Sequence, residues 1–275
     1  MSDEQGQRER WNGRAGSAWV TSQALLDRMM KPFEEVLLEG VSGERILDVG
    51  CGTGVTTVGA TRIPGVRTCV GLDISEQMVD AARERAERAG SPATFVVGDA
   101  QTFGFEPAAY DLVMSRFGVM FFADPVAAFA NLRAATRPGG KLRCITWRDA
   151  AENPFMTTAE RAAAPLLPDL PVREPNEPGQ FGLADREIVR RILTESGWTD
   201  IDIEPFGAEC SFAEADLIRY VTQMGHVGIA LAGADDQTRD RVVPVVRAAF
   251  EPFVAGDEVR FDAACWLIRA RNTTS

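Results

Sequence analysis

One short segment constrains the fold of this chain more than any other: an apolar run that breaks into alternating glycines. The run spans residues 46–49 and is apolar except for Asp48, and Gly50, Gly52 and Gly54 follow it. Such a run is typical of a buried parallel strand. Glycines at every second position let the backbone turn sharply and approach a ligand without interference from Cβ atoms. The helix predicted after them begins with N–H groups that lack partners within the helix, so the segment predicts a nucleotide-binding turn.

The spacing of the glycines narrows the class of nucleotide. A dinucleotide-binding turn has glycine at its first, third and sixth positions, and Val55 takes the sixth position here. A P-loop ends in Gly-Lys-Ser/Thr, and no lysine lies near this turn. What remains is a GxGxG turn that is preceded by an acidic residue, Asp48.

The segments after the turn alternate between predicted strands and helices. A second strand over 66–72 ends at Asp73, where a carboxylate is placed to accept both hydroxyls of a ribose. Ser75 suits the N-cap of a helix over 76–89. Further strands are predicted over 93–98, 110–114 and 141–147, with a helix over about 124–136 before the last of them. That helix ends in the stop signal Arg137-Pro138-Gly139-Gly140.

With these motifs in this order, the chain resembles the class I S-adenosylmethionine-dependent methyltransferases. The resemblance is to the small-molecule branch that includes quinone-biosynthesis C-methyltransferase-like enzymes, and it covers residues 45–147. It rests on the glycine turn, Asp73, Gly98-Asp99-Ala100, the strand with Asp111 and Pro138-Gly139-Gly140. It implies an α/β fold with a Rossmann-like, seven-stranded and mostly parallel sheet, an antiparallel last strand and a helical cap.

The resemblance also implies that S-adenosylmethionine is the cofactor, and it suggests a role for each part of its site. Backbone groups of the glycine turn would pack against the methionyl part, Asp73 would hold the ribose hydroxyls, and Ile74 and Met78 would flank the adenine. Asp99 would accept a hydrogen bond from the adenine amino group while the Ala100 N–H donates to a ring nitrogen. The implied cofactor-binding residues are Gly50, Gly52, Thr53, Gly54, Asp73, Ile74, Met78, Asp99, Ala100, Gln101, Ser115 and Arg116. We interpret Asp48 as an organiser of the glycine turn.

Charge and composition bear on the partners. The formal net charge is −11, and an acidic surface repels nucleic acid, so a small-molecule methyl acceptor is favoured. No apolar stretch is long enough to span a membrane, and the start of the chain is polar, so we expect no signal peptide. The five cysteines show neither disulfide nor metal-ligand spacing. We expect a cytoplasmic protein without a metal, acting as a monomer or homodimer.

The chain divides into four predicted parts. Residues 1–44 form an N-terminal helical segment, 45–148 the S-adenosylmethionine-binding core, 149–182 a lid or loop insertion, and 183–275 the completion of the core. The last part contains a helical cap insertion near 213–255, between strands predicted near 200–206 and 259–271. Ligands in open α/β sheets bind beyond the carboxyl ends of the strands, so both insertions are expected to cover the substrate.

A catalytic group is harder to assign, because methyl transfer needs a general base only where the acceptor atom is protonated. The only histidine, His226, lies between glycines in the predicted cap, and it is the candidate catalytic residue. A structural or surface role for this histidine stays open. Tyr220 and Arg148 could orient a substrate. Aromatic side chains at Trp11, Trp19 and Phe117 could surround the sulfonium through cation–π attraction, or simply belong to the core.

The hypothesis is therefore methyl transfer to an oxygen, nitrogen or carbon atom of a small, fairly apolar molecule, in secondary metabolism. Two alternatives stay open. An NAD-dependent oxidoreductase shares the sheet and the acidic residue after the second strand, but Val55 and the Gly98-Asp99-Ala100 motif disfavour it. A non-catalytic module that binds S-adenosylmethionine and regulates a partner would have the same motifs.

Overall fold

The computed structural model describes residues 3–171 and 177–273, so part of the predicted insertion at 149–182 lies outside the described residues. One mixed sheet forms its centre. Its strands are β1 (Arg45–Val49), β2 (Thr68–Asp73), β3 (Thr94–Val97), β4 (Tyr110–Arg116), β5 (Thr136–Trp147), β6 (Thr199–Ala213), β7 (Val254–Ala255) and β8 (Glu258–Arg271).

The strand order is β3-β2-β1-β4-β5-β8-β6, with the two-residue β7 paired to β8. Strands β1 to β5 are mutually parallel, and β8 runs antiparallel to both β5 and β6. The predicted seven-stranded, mostly parallel sheet with an antiparallel last strand is thus confirmed, and β7 is a short addition. The order reverses between β1 and β4, and such a switch point opens a crevice at the carboxyl ends of the strands.

The central strands form because their apolar runs are buried on both faces. Ile46 and Leu47 in β1 and Leu112, Val113 and Met114 in β4 are fully buried. The strand predicted near 200–206 is longer than predicted, because β6 pairs with β8 as far as its end at Ala213. The sequence after 206 alternates polar and apolar residues, and partnership with β8 decides that this segment is extended.

Four helices precede the sheet: α1 (Asp3–Asn12), α2 (Arg14–Thr21), α3 (Gln23–Met29) and α4 (Lys31–Glu39). The apolar residues Leu26, Met30, Phe33 and Leu37 share one face of this segment and are buried. The face is divided between α3 and α4, which meet at Met30. Pro32 lies in the first turn of α4, where its missing N–H costs no helical hydrogen bond.

Five helices flank or follow the parallel strands: α5 (Val55–Ala60), α6 (Glu76–Ala89), α7 (Pro125–Ala135), α8 (Pro154–Ala163) and α9 (Arg186–Glu195). The predicted N-cap of α6 is confirmed, since the Ser75 hydroxyl accepts a hydrogen bond from the Met78 N–H. Helix α8 is the helical part of the predicted lid or loop insertion.

Between β6 and β8 the chain forms α10 (Leu217–Gln223), α11 (Gly225–Gly233) and α12 (Asp236–Ala249). These helices are the predicted helical cap. They pack on one another and on α8, so the cap and the predicted lid form one layer. Among the described residues, none of the helices combines the length and apolar character required to cross a bilayer.

Candidate active site

A cavity of ≈ 260 Å³ lies at the carboxyl ends of β1, β2 and β4, where the strand order reverses. The sheet forms its floor, α1 and α3 border one side, and α8, α10 and α11 cover it. We refer to it as the central cavity. Eight predicted cofactor-binding residues line it, namely Gly50, Gly52, Asp73, Ile74, Met78, Asp99, Ala100 and Arg116.

The glycine turn after β1 requires glycine for two reasons. Gly50 and Gly52 have φ angles of +63° and +53°, a left-handed conformation that side chains disfavour. A Cβ atom on Gly50 would also lie 2.5 Å from the Cα atom of Gly118 in the turn after β4. The two turns therefore touch through backbone atoms, and both face the central cavity.

Asp48 lies beneath this turn rather than in the cavity. Its carboxylate is fully buried and accepts hydrogen bonds from the hydroxyls of Thr56 (2.6 Å) and Thr57 (2.7 Å) in α5. Burial raises the pKa of Asp48 to about 6, although the two hydroxyls oppose the shift. The side chain thus ties β1 to the first turn of α5, which agrees with the predicted organising role.

Asp73, at the end of β2, joins two turns of the site. One carboxylate oxygen accepts from the Gly52 N–H at 2.8 Å, and the other accepts from the Ser75 N–H at 3.0 Å. Burial raises the pKa of this carboxyl group, and backbone N–H groups oppose that shift. Because each carboxylate oxygen has two lone pairs, both retain capacity for a further donor from the cavity.

The loop after β3 is held by side chains from neighbouring elements. The Asn131 amide donates to the carbonyl oxygens of Ala100 and Phe103, each at 2.9 Å. Asp99 accepts from the Gln101 N–H at 2.9 Å. Asp99 and Ala100 line the cavity from this loop.

The N-terminal helix α1 closes the cavity next to Asp73. Asn12 bridges the turn after β2, since its amide donates to the Ile74 carbonyl at 3.1 Å and its oxygen accepts from the Glu76 N–H at 2.9 Å. The Ser75 hydroxyl donates to the Trp11 carbonyl at 2.7 Å. Side chains of α1, including Arg10, line the cavity. The sequence did not predict Arg10 as a site residue, although the Trp11-Asn12 pair next to it was a signal.

Arg116, at the end of β4, is a cation in an enclosed setting. Burial lowers the pKa of its guanidinium, while the carboxylates of Glu34 and Asp27 oppose that shift. One of its N–H groups donates to the Met30 carbonyl at 3.4 Å. A half-buried cation that lines a cavity is suited to a carboxylate ligand.

The other predicted cofactor-binding residues do not line the central cavity within the described part of the chain; they are Thr53, Gly54, Gln101 and Ser115. The Ser115 hydroxyl is fully buried, donates to the Val49 carbonyl at 2.7 Å and accepts from the Gly118 N–H at 3.1 Å. The Gln101 side-chain oxygen accepts from the Asp124 N–H at 2.8 Å. The Ser115 and Gln101 side chains therefore stabilise backbone segments next to the cavity without lining it.

Aromatic and apolar side chains also line the cavity. Phe117 stacks on Trp147 with ring centroids 4.5 Å apart and planes 5° from parallel. Phe117 has a φ angle of +64°, and such strain in a non-glycine residue is typical of functional sites. Trp11 and Trp19 contact each other edge to face and also line the cavity. The three predicted aromatic residues therefore surround one space.

The candidate catalytic residue His226 lies in the first turn of α11 and lines the cavity. Its Nδ1 atom is 3.1 Å from the Oε1 atom of Glu160 in α8. Glu160 lines the same space but was not predicted, since nothing in the sequence connects α8 with the cap. Tyr220 lines the cavity as well, whereas Arg148 lies outside the lining, over the Trp266 ring.

Comparison with known proteins agrees with this geometry. A family described as "Methyltransferase domain" matches residues 46–140. Aklanonic acid methyltransferase from Streptomyces sp. (strain C5) is 40% identical over 106 residues, which are 38% of this chain and 48% of that protein. Demethylmenaquinone methyltransferase from Renibacterium salmoninarum is 27% identical over 193 residues, covering 66% of this chain and 79% of that protein.

A solved structure of a methyltransferase from Bacillus halodurans has a TM-score of 0.57 and 18% identity, and the match covers 89% of this chain and 99% of that one. This likeness concerns the fold. The chain spans about half of the length of the first relative. The family match over residues 46–140 includes the glycine turn, Asp73 and Asp99. Residues 46–140 of this chain thus resemble a methyltransferase domain.

Proposed function

We propose that this protein transfers a methyl group from S-adenosylmethionine to an oxygen, nitrogen or carbon atom of a small, mostly apolar molecule. One observation carries the proposal. The same cavity extends from the carboxylates of Asp73 and Asp99 at the sheet to aromatic residues and methionines under the cap. A nucleoside can occupy the first region while an acceptor occupies the second.

The residues present fit the cofactor. The left-handed Gly50 and Gly52 bring backbone atoms to the cavity wall without Cβ atoms. Asp73 would accept hydrogen bonds from the ribose hydroxyls, and Asp99 from the adenine amino group. Arg116 would pair with the carboxylate of the methionyl part. These assignments extend the implied roles to the side chains that line the cavity.

The mechanism that these residues support consists of positioning and exclusion of water. When bound, S-adenosylmethionine supplies an activated methyl group on a positively charged sulfur. Phe117, Trp11 and Trp19 line the cavity and would attract that charge through the faces of their rings. Helix α1 and the cap would hold the acceptor in line and keep water out.

The acceptor is proposed to be apolar because the space under the cap is apolar. Met156 and Ala159 of α8, and Met224 and Val227 of the cap, line it. Methionine side chains adapt to irregular ligands and pack well against aromatic rings. The relatives named for aklanonic acid and demethylmenaquinone support a small-molecule acceptor.

A binding and turnover experiment tests the proposal against its two alternatives. S-adenosylmethionine and S-adenosylhomocysteine are expected to raise the melting temperature of the protein, because a ligand that binds the folded state stabilises it. NAD is the matched control. Stabilisation by NAD alone would favour the oxidoreductase. Binding of S-adenosylmethionine without release of S-adenosylhomocysteine, across a panel of phenols, amines and carbon acids, would favour the regulatory module.

A further inference from the structure

We infer that His226 and Glu160 act as a proton-accepting pair, and that the methyl acceptor is therefore a phenol or an enol on an apolar skeleton. This inference rests on the proposed methyl transfer and adds to it the substrate class, the catalytic base and a positioning residue. The observation behind it is the close approach of two ionisable side chains, from α8 and α11, within the wall of the central cavity.

The geometry of the pair determines which imidazole nitrogen can act. The Nδ1 atom of His226 lies 3.1 Å from the Oε1 atom of Glu160, and the two side chains are 19% and 18% exposed. Among the described residues Nδ1 has no hydrogen-bond partner, so its contact with Glu160 is one of charge. Nε2 is the nitrogen that does not face the carboxylate, and in the neutral imidazole it can take a proton from a bound molecule.

Glu160 also stabilises the charged form of the imidazole. An imidazolium formed by proton uptake faces a carboxylate inside a partly enclosed site, where opposite charges attract more strongly than in water. The two roles match those in known catalytic triads, in which a carboxylate orients a histidine and stabilises its cation. Glu160 is thus a positioning residue, and His226 is the residue that contacts the acceptor.

Three helices pack on α11, namely α2, α8 and α10, and each carries further ionisable groups. They are Arg14 on α2, Arg161 on α8, and Arg219 and Tyr220 on α10. Arg161 donates to the Pro154 carbonyl, and Arg219 donates to the Thr21 carbonyl. Arg10, Asp73, Asp99 and Arg116 also line the cavity. Among the described residues, Glu160 is the carboxylate at ion-pair distance from His226.

The walls around the pair match a flat, uncharged ring. Phe155 and Tyr220, whose ring centroids are 5.5 Å apart, line the cavity next to the methionines of α8 and α10–α11. A neutral amine already presents its lone pair and needs no base, whereas a hydroxyl must lose its proton to become a strong nucleophile. An apolar site with a histidine–carboxylate pair is therefore suited to a weakly acidic hydroxyl.

The step balances with these groups. The proton of the acceptor hydroxyl moves to Nε2 of His226, and the oxygen uses its electron pair to bond the methyl carbon. The electron pair of the carbon–sulfur bond remains on sulfur, which loses its positive charge. The imidazolium, held by Glu160, then releases its proton to water when the methylated product leaves.

A spectroscopic experiment tests the pair without requiring turnover. The protein is loaded with S-adenosylhomocysteine and titrated with 7-hydroxycoumarin, a phenol whose absorption differs between its neutral and ionised forms. The pH is set below the ionisation midpoint of the free probe. The expected result is the phenolate absorption in the wild-type complex, since His226 takes the proton.

Substitutions test how much each of the two residues contributes to the phenolate absorption. His226→Ala is expected to leave the bound probe neutral, and Glu160→Gln to lower the ratio of phenolate to phenol by about tenfold, because the imidazolium loses the carboxylate that faces it. Glu195→Gln, an exposed glutamate at the end of α9, is the matched control and should behave as wild type. His226→Asn replaces the alanine variant if that variant fails to fold, as judged by its melting temperature.

Three results would overturn the inference: a neutral probe in the wild-type complex, a phenolate signal that persists without the imidazole, or no binding of the probe. A purely structural ion pair would change the melting temperature of the Glu160→Gln variant but not the spectrum of the bound phenol. Failure of the proposed function is distinguishable, because S-adenosylhomocysteine would then not bind in calorimetry before any phenol is added.

Discussion

Replacing Asp73 with alanine tests the site at the point where the two turns meet. The carboxylate accepts hydrogen bonds from the Gly52 and Ser75 N–H groups, and we propose that it also accepts from the ribose hydroxyls. A hydrogen bond to a charged acceptor contributes about 1.5–3 kcal/mol. Loss of the ribose interaction alone should therefore raise the Kd for S-adenosylhomocysteine by about 10- to 150-fold.

The same substitution disturbs the protein itself, and the assay must separate the two effects. Without the carboxylate, the N–H groups of Gly52 and Ser75 lose their acceptors, at a cost of about 1–3 kcal/mol for each group that water does not reach. Calorimetry with S-adenosylhomocysteine is therefore paired with calorimetry with its 2′,3′-dideoxy analogue, which lacks the ribose hydroxyls. The variant should bind the two ligands almost equally, whereas wild type should prefer the first.

The reasoning is refuted if wild type and Asp73→Ala show the same preference for the hydroxylated ligand. An equal loss of affinity for both ligands would mean that Asp73 only shapes the glycine turn. Asp80→Ala is the matched control, because Asp80 is an exposed aspartate on α6. It should leave both affinities unchanged.

Three further predictions concern the frame of the site. Because burial raises the pKa of Asp48 from its usual 3.8 to about 6, the folded state binds this proton more tightly than the unfolded state, so stability falls as pH rises from about 4 to about 6. Asp48→Asn should raise the free energy of unfolding by about 1–3 kcal/mol at pH 7 but not below pH 4. If urea denaturation showed the same dependence of this free energy on pH for the variant and for wild type, the prediction would be contradicted. Gly50→Ala should destabilise more than Gly90→Ala: both have similar positive φ angles, but a Cβ atom on Gly90 meets nothing within 4 Å while one on Gly50 meets Gly118. Equal melting temperatures of these two variants would rule out the close approach of the turns. Asn12→Ala should weaken S-adenosylhomocysteine binding by about three- to tenfold, since it removes two exposed hydrogen bonds to the turn after β2, and unchanged calorimetry would mean that α1 does not support the site.

The parts of the site next to strand ends were the most predictable. Each parallel strand delivers the residue after it to the same edge of the sheet, so the glycine turn, Asp73 and Asp99 could be assigned to one place from local sequence. The structure brings all of them to the wall of one cavity. The starts of the helices after these strands were similarly predictable, because an N-cap residue such as Ser75 is adjacent in sequence to the helix that it begins.

The direction of individual side chains was less predictable. Ser115 and Arg116 are neighbours at the end of β4, yet Arg116 lines the cavity and Ser115 is turned beneath the glycine turn. Successive residues of a strand point to opposite faces, and the sequence does not state which face meets the ligand. The strained φ angle of Phe117, the next residue, could not be predicted from the sequence either.

The sequence by itself determined the alternating strands and helices and the glycine turn, because each of these depends on residues that are close together in the chain. Only the tertiary structure decided that Glu160 faces His226, from a helix 66 positions earlier in the chain. It also decided that α1 closes the site above Asp73. Such contacts arise when separate helices pack over the sheet. A local sequence pattern does not determine which residues of two packed helices face each other.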